Sequence, residues 1–245
     1  MQEYQRQEIQ ELKQLHGRYI CFVDSDDYVT KTYVEEMVKG MEDNQVDLVI
    51  CNYYFEKKKE QLEKNSDVKE IKNISVQDFS GYFYDVYTKM LLNQPWNKLY
   101  KTEYIKQNFR KNMSLGEDLV FNIDYLSRIK SLAIINECLY MYDIAVGGNL
   151  HKKKQSAEEF FYLYLYMYEQ LLQKKYASLA FQNFIVKHYI RFLAQKEKED
   201  RKKGYKALKK FAKKIDGNSF CFSSINFYTM YGIYFIIKKI KEKLK

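Results

Sequence analysis

Tyr19-Ile20-Cys21-Phe22-Val23-Asp24-Ser25-Asp26-Asp27-Tyr28-Val29 is the stretch that decides the fold. Apolar and aromatic residues run without a break into three carboxylates, Asp24, Asp26 and Asp27. A short apolar run free of helix breakers predicts a buried strand over 19–23. Like charges crowded at the end of such a strand need solvent or a cation to relieve them. The stretch is therefore either an exposed turn leading into the next helix or the rim of a site that holds something positive.

Working outward, Tyr33, Val34, Met37, Val38 and Met41 share one face of a helix expected over 31–42. Thr32 and Glu35 have the spacing of a capping box at its start. Val46 to Phe55 is the next strand. Strand, helix and strand in close succession predict a parallel βαβ unit and hence an α/β fold. In extended chain, residues two apart point the same way, so Asp24 and Asp26 project to one side just past a strand's C-terminal end. In open α/β sheets that rim is where ligands bind. Hard cations such as Mg²⁺ or Mn²⁺ take carboxylate oxygens and complete their shells with water and phosphate oxygens.

Residues 56–73 are charged and lack apolar period, which predicts a loop or an exposed hairpin. Ser75 and Asp78 open a helix running to about Leu92. Pro95-Trp96-Asn97-Lys98-Leu99-Tyr100-Lys101 reads as a strand, followed by a short helix over 102–107. Ser114 and Glu117 are spaced as a second capping box, for a helix reaching about Ile129. Leu132 to Tyr142 is a further strand. Near residue 147 the character changes: Gly147-Gly148-Asn149 is a loop, and Ser156 with Glu159 caps a helix spanning to Lys175. Residues 177–215 and 225–243 also have helical composition. The expected organisation is an α/β part over 1–150 and a helical part over 151–245.

Three groups of side chains suit chemistry. Asp24, Asp26 and Asp27 are oxygen donors at a strand end. Glu117 and Asp118 follow Gly116 in a first helical turn, where the helix dipole favours acids and a carboxylate can serve as general base. In Trp96-Asn97-Lys98, a lone Trp beside a strand reads as core, and Lys98 could approach a phosphate or simply be solvated.

The chain has 245 residues, 46% of them hydrophobic, enough for a sizeable core. Its four cysteines include no C-x-x-C pair, as in a reducing cytosol. The polar N-terminus is no signal peptide, and no window reaches the about 18 apolar residues of a membrane span. These features predict a cytoplasmic protein. Net charge is +9. The segment Tyr228–Leu244 combines aromatics and Ile with Lys238, Lys239, Lys241 and Lys243, the pattern of an interfacial helix at the inner face of the cell membrane. The basic residues form no recognition motif, so nucleic acid is not expected as a partner.

Gly17-Arg18 with the opening stretch, then Pro95-Trp96-Asn97-Lys98-Leu99-Tyr100-Lys101, then Leu115-Gly116-Glu117-Asp118-Leu119-Val120-Phe121-Asn122, taken in this order, resemble the family 2 glycosyltransferases of bacterial polysaccharide synthesis. The resemblance covers about residues 8–150. It implies a partial GT-A (Rossmann-like) mixed sheet with flanking helices, followed by an α-helical C-terminal region. It implies inverting transfer from a nucleotide-sugar donor to a glycan or lipid-linked acceptor. Asp24 and Asp26 match the D-x-D element that holds a divalent metal, Mn²⁺ or Mg²⁺. Asp118 matches the catalytic base, with Glu117 beside it, while Asp27, Trp96, Asn97 and Lys98 fall to substrate binding.

Nothing before Gly17 resembles the family's nucleoside-reading half. The expectation is a chain lacking that half, completed by a separate N-terminal segment or by a second copy. The alternative is a non-catalytic remnant that binds a membrane or a partner.

Overall fold

The computed structural model describes residues 16–56, 61–106, 109, 116–144 and single helical positions beyond them, at 163, 166, 167, 170, 199, 202, 203 and 206. The polar N-terminus over 1–15, the capping Ser114 and the basic tail lie outside the described residues. So do the expected helices after 150, apart from those single positions. The chain divides into two compact units, one of 1–153 with 167–178 and one of 154–166 with 179–245. In the second, the described positions are helical, with Leu163 buried.

In the first unit, seven strands form one mixed sheet. They are β1 (Tyr19–Cys21), β2 (Tyr28–Val29), β3 (Leu48–Glu56), β4 (Leu62–Lys64), β5 (Ile71–Ser75), β6 (Lys98–Lys101) and β7 (Ser131–Asp143). Helices α1 (Tyr33–Asn44), α2 (Ser80–Thr88) and α3 (Glu117–Leu126) accompany them, with a 3₁₀ turn at Thr102–Tyr104. The path of the sheet is β1-β6-β3-β7-β2, with β4 added to β3 and β5 added to β7. This is the expected α/β mixed sheet with flanking helices.

The strands at 19–21, 48–56 and 131–143 fall where apolar runs predict them. The βαβ unit differs in one respect. β1 and β3 run parallel but do not touch, because β6 lies between them, antiparallel to both. The predicted parallel contact is instead β3 with β7, from Leu48↔Leu132 to Glu56↔Asp143. A bulge interrupts that ladder at Asn52. Its side chain bonds to backbone there: Nδ2 donates to Ser66 O at 2.6 Å, and Oδ1 accepts from the Tyr53 amide at 2.9 Å. The bulge shifts β7 forward and sets the register of Tyr140 and Tyr142 at the sheet's C-terminal rim.

α1 packs on the sheet through Tyr33, Met37 and Met41, all buried. Gly40 allows the close approach: a Cβ there would stand 2.9 Å from Ile135 Cδ1. The Thr32–Glu35 capping box does not form. Thr32 is the N-cap but makes no side-chain cap bond, and the Glu36 amide donates to the Thr32 carbonyl instead. α2 stops at Thr88 rather than near Leu92. Met90 adopts φ 60°, and the Leu91 amide turns back to the Val86 carbonyl at 3.0 Å, which closes the helix in a Schellman-type turn. Residues 56–73 hold the hairpin reading, since β4 pairs with β3 from Tyr54↔Lys64 to Glu56↔Leu62. β5 is an additional strand that its polar sequence hid.

Candidate active site

β1, β3 and β7 point the same way, and the chain leaves β1 at this common C-terminal rim to form the carboxylate turn. The Asp27 amide donates to the Asp24 carbonyl at 3.1 Å and closes the turn. Antiparallel pairing of β2 with β7, Tyr28↔Met141 and Val29↔Tyr140, then fastens it to the sheet. One carboxylate oxygen each from Asp24, Asp26 and Asp27 lies within 4.8 Å of the others. Asp24 and Asp26 are exposed and Asp27 is half-buried.

The three carboxylates differ in their surroundings. Asp27 Oδ2 accepts from the Tyr140 hydroxyl at 2.7 Å, and Oδ1 accepts from the Asp143 amide at 2.9 Å. Burial raises its carboxyl above the ordinary range; those two hydrogen bonds oppose the rise, and the charges of Asp26 and Asp143 add to it. The same Tyr140 oxygen accepts the Asp24 amide at 3.1 Å. Tyr142 lies close enough to feel all three acids: burial first, then Asp27, Asp26 and Asp24 push its phenol up. Tyr28 donates to Glu56 Oε2 at 2.7 Å, and that bond, then burial, pushes its phenol up to about 12.

A hard divalent cation fits this turn by chemistry. The donors are carboxylate oxygens, two of the side chains face solvent, and like charge already gathered there gains from a positive ion.

The Pro95–Lys98 segment is buried rather than exposed. Trp96 is buried and stacks on Tyr140 at 4.2 Å and on Tyr142 at 5.5 Å between ring centroids. Asn97 and Lys98 are each 0% exposed. Asn97 Nδ2 donates to the carbonyls of Cys51 at 3.0 Å and Leu91 at 3.3 Å. Lys98 Nζ donates to Leu91 O at 2.7 Å, to Asn97 Oδ1 at 2.7 Å and to the Gln94 carbonyl. Burial pushes its ammonium down to about 7, against the pull of Cys51 and Asp118. Lys98 thus holds the loop 91–97 by its carbonyls. Its ammonium is wholly buried and bonded to the chain's own oxygens, where the sequence suggested a phosphate contact.

Glu117 and Asp118 stand in the first turn of α3, both half-buried. Gly116, at φ 73°, supplies the left-handed backbone that starts the helix. One turn on, Asn122 fixes the helix against the same loop, donating to Leu92 O at 2.8 Å and Gln94 O at 3.0 Å. It also accepts from the Tyr100 hydroxyl at 2.6 Å. Phe22, between β1 and the turn, meets Phe121 of α3 edge-on at 5.7 Å and Tyr100 at 5.7 Å. One aromatic cluster therefore backs both acidic segments. Tyr140, Tyr142 and Asn122 are the members sequence reasoning missed. A tyrosine in an apolar strand looks like core, and no local pattern ties Tyr140 to an aspartate 113 positions away.

Residues 9–127 match the family model for glycosyl transferase family 2. The chain is 29% identical over 142 residues to glycosyltransferase GlyA of Streptococcus pneumoniae, across 56% of this chain and 20% of that protein. It is 25% identical over 134 residues to the Bacillus subtilis protein EpsJ, an uncharacterized glycosyltransferase, across 54% of this chain and 39% of the other. The matches thus span well under half of either relative's length. Among solved structures, S. aureus TarS 1-349 in complex with UDP-GlcNAc superimposes with a TM-score of 0.64 at 16% identity, covering 83% of this chain and 59% of TarS. The UDP complex gives 0.61 at the same identity, with 82% and 57% covered. At that identity the likeness is one of fold.

Proposed function

We propose that this chain, which belongs to glycosyl transferase family 2 through residues 9–127, transfers a sugar from a nucleoside-diphosphate donor to a hydroxyl of a glycan or lipid-linked acceptor, with inversion. The observation that carries the proposal is the gathering of Asp24, Asp26 and Asp27 at the common C-terminal rim of three parallel strands.

Asp24 and Asp26 would hold a divalent cation, Mn²⁺ or Mg²⁺, whose chemistry is to neutralise the departing diphosphate. The remaining work belongs to the chain. Asp118, or Glu117 beside it, takes the proton from the acceptor hydroxyl as that oxygen attacks the anomeric carbon. α3 holds the acid in place through Gly116 at its start and Asn122 one turn on. The Trp96–Tyr140–Tyr142 stack backs the turn and keeps water from behind it. The UDP-GlcNAc held by the TarS neighbour makes a uridine-diphosphate sugar the first donor to test.

UDP release from UDP-GlcNAc in the presence of Mn²⁺, measured for wild type and Asp118→Asn, tests the assignment. A base of this kind contributes about 10²- to 10⁴-fold, so the variant should lose that factor in kcat while binding UDP as the wild type does. Equal release by the two proteins would remove Asp118 from the role.

A further inference from the structure

We propose that Tyr140 is the positioning residue of the carboxylate turn, a fixed post that preassembles Asp24 and Asp26 and takes Asp27 out of the set of ligands. The inference rests on the reading of the turn as the cation-holding end of a donor site.

Three observations carry it. The ring of Tyr140 is fully buried and clamped on two sides. Trp96 stacks on it at 4.2 Å with planes 16° apart, and Tyr33 meets it edge-on at 6.3 Å. The clamp is itself tied, since the Tyr33 hydroxyl donates to the Trp96 carbonyl at 2.8 Å. The hydroxyl of Tyr140 then touches both ends of the turn, accepting the Asp24 amide at 3.1 Å and donating to Asp27 Oδ2 at 2.7 Å. Asp27 spends its other oxygen on the Asp143 amide at 2.9 Å, the end of β7. With both oxygens engaged, Asp27 acts as a strut.

Three carboxylates within 4.8 Å repel one another, and a free turn would open to separate them. Tyr140 opposes this from a ring that cannot move, next to the β2–β7 ladder and the bond from the Thr30 amide to the Leu139 carbonyl at 2.9 Å. A ligand set held in place before the ion arrives binds it more tightly than one that must first be ordered. Trp96 then serves the site through Tyr140, from the buried side.

Mn²⁺ binding to the 245-residue chain, followed by electron paramagnetic resonance of the free ion with and without UDP, tests this. Tyr140→Phe keeps the ring stack and removes only the hydroxyl. Loss of such an outer contact should weaken Mn²⁺ roughly 10- to 100-fold. Asp27→Asn should weaken it in the same direction, and the double variant should lose little more than Tyr140→Phe alone, because both break one link. Should Tyr140→Phe fail to melt cooperatively, Asp27→Asn, which leaves the rings untouched, carries the same prediction. A purely structural Tyr140 would lower the melting temperature and leave the Mn²⁺ affinity unchanged. Wild-type affinity in Tyr140→Phe, with binding abolished in Asp26→Asn, would overturn the inference and leave the reading of the turn standing. Absence of Mn²⁺ binding by the wild type would overturn that reading and the inference with it.

Discussion

The carboxylate turn and the Pro95–Lys98 segment adjoin strands of the same sheet, and each carries polar side chains beside an aromatic stack. In the turn, Asp24 and Asp26 face solvent, and the backbone is satisfied by neighbouring strands and Tyr140. In the segment the traffic is reversed: Asn97 and Lys98 are wholly buried and spend their donors on the carbonyls of Cys51, Leu91 and Gln94. A loop that crosses the interior must find donors for its carbonyls, and an amide with an ammonium provides several in a small volume. The turn thus presents charge to solvent, while the segment spends charge on the buried backbone. The two meet where Trp96 stacks on Tyr140 and Tyr142.

The sharpest way to break this contrast is Lys98→Met. Asn97 Oδ1 loses the Lys98 donor, while Leu91 O and Gln94 O each keep one bond, from Asn97 and Asn122; a buried orphan costs about 1–3 kcal/mol. Urea unfolding should show a loss of roughly 1–3 kcal/mol, whereas Asp26→Asn, exposed and at the rim, should stay within about 0.5 kcal/mol of wild type. A Lys98→Met protein that keeps its stability yet no longer binds UDP would make the segment a ligand contact and end the distinction.

A smaller effect sharpens it through pH. An unfolded lysine keeps its proton to about pH 10.4. Folded, burial holds Lys98 down to about 7. Between those values the unfolded chain binds the extra proton, so the contribution of Lys98 to stability grows as pH rises, by at most about 1.4 kcal/mol per unit. Below pH 7 both states are protonated and this contribution is flat. Unfolding free energies at pH 6, 7.5 and 9 should show the rise in wild type and not in Lys98→Met, so that the difference between the two grows with pH. A flat wild-type difference would mean that the three carbonyls keep the ammonium charged throughout.

Much of this was legible in the sequence, because it is written in local pattern. The apolar run at 19–23 followed by three acids located a strand, the rim and the turn. The apolar face from Tyr33 to Met41 located α1, and the long run at 132–142 located β7. What was not legible is what distance decides. β6 slides between β1 and β3 because Leu99 pairs with both Cys21 and Val49, a choice no spacing encodes. β5 reads as Ile-Lys-Asn-Ile-Ser, too polar to announce a strand, yet it pairs with β7. The bulge at Asn52 decides which β7 residues reach the rim, and it made Tyr140 a member of the turn. Asn97 and Lys98 are polar residues in a motif, and their types alone do not say whether the donors face a ligand or the chain's own backbone.

The most direct test of the central claim is calorimetric titration of UDP into the 245-residue chain with Mn²⁺ and with EDTA, beside Asp26→Asn. The account predicts binding that requires Mn²⁺ and is lost in Asp26→Asn, while that variant melts as the wild type does. Binding of equal strength in EDTA, or unchanged in Asp26→Asn, would contradict it, since the carboxylate turn would then have no part in holding the donor.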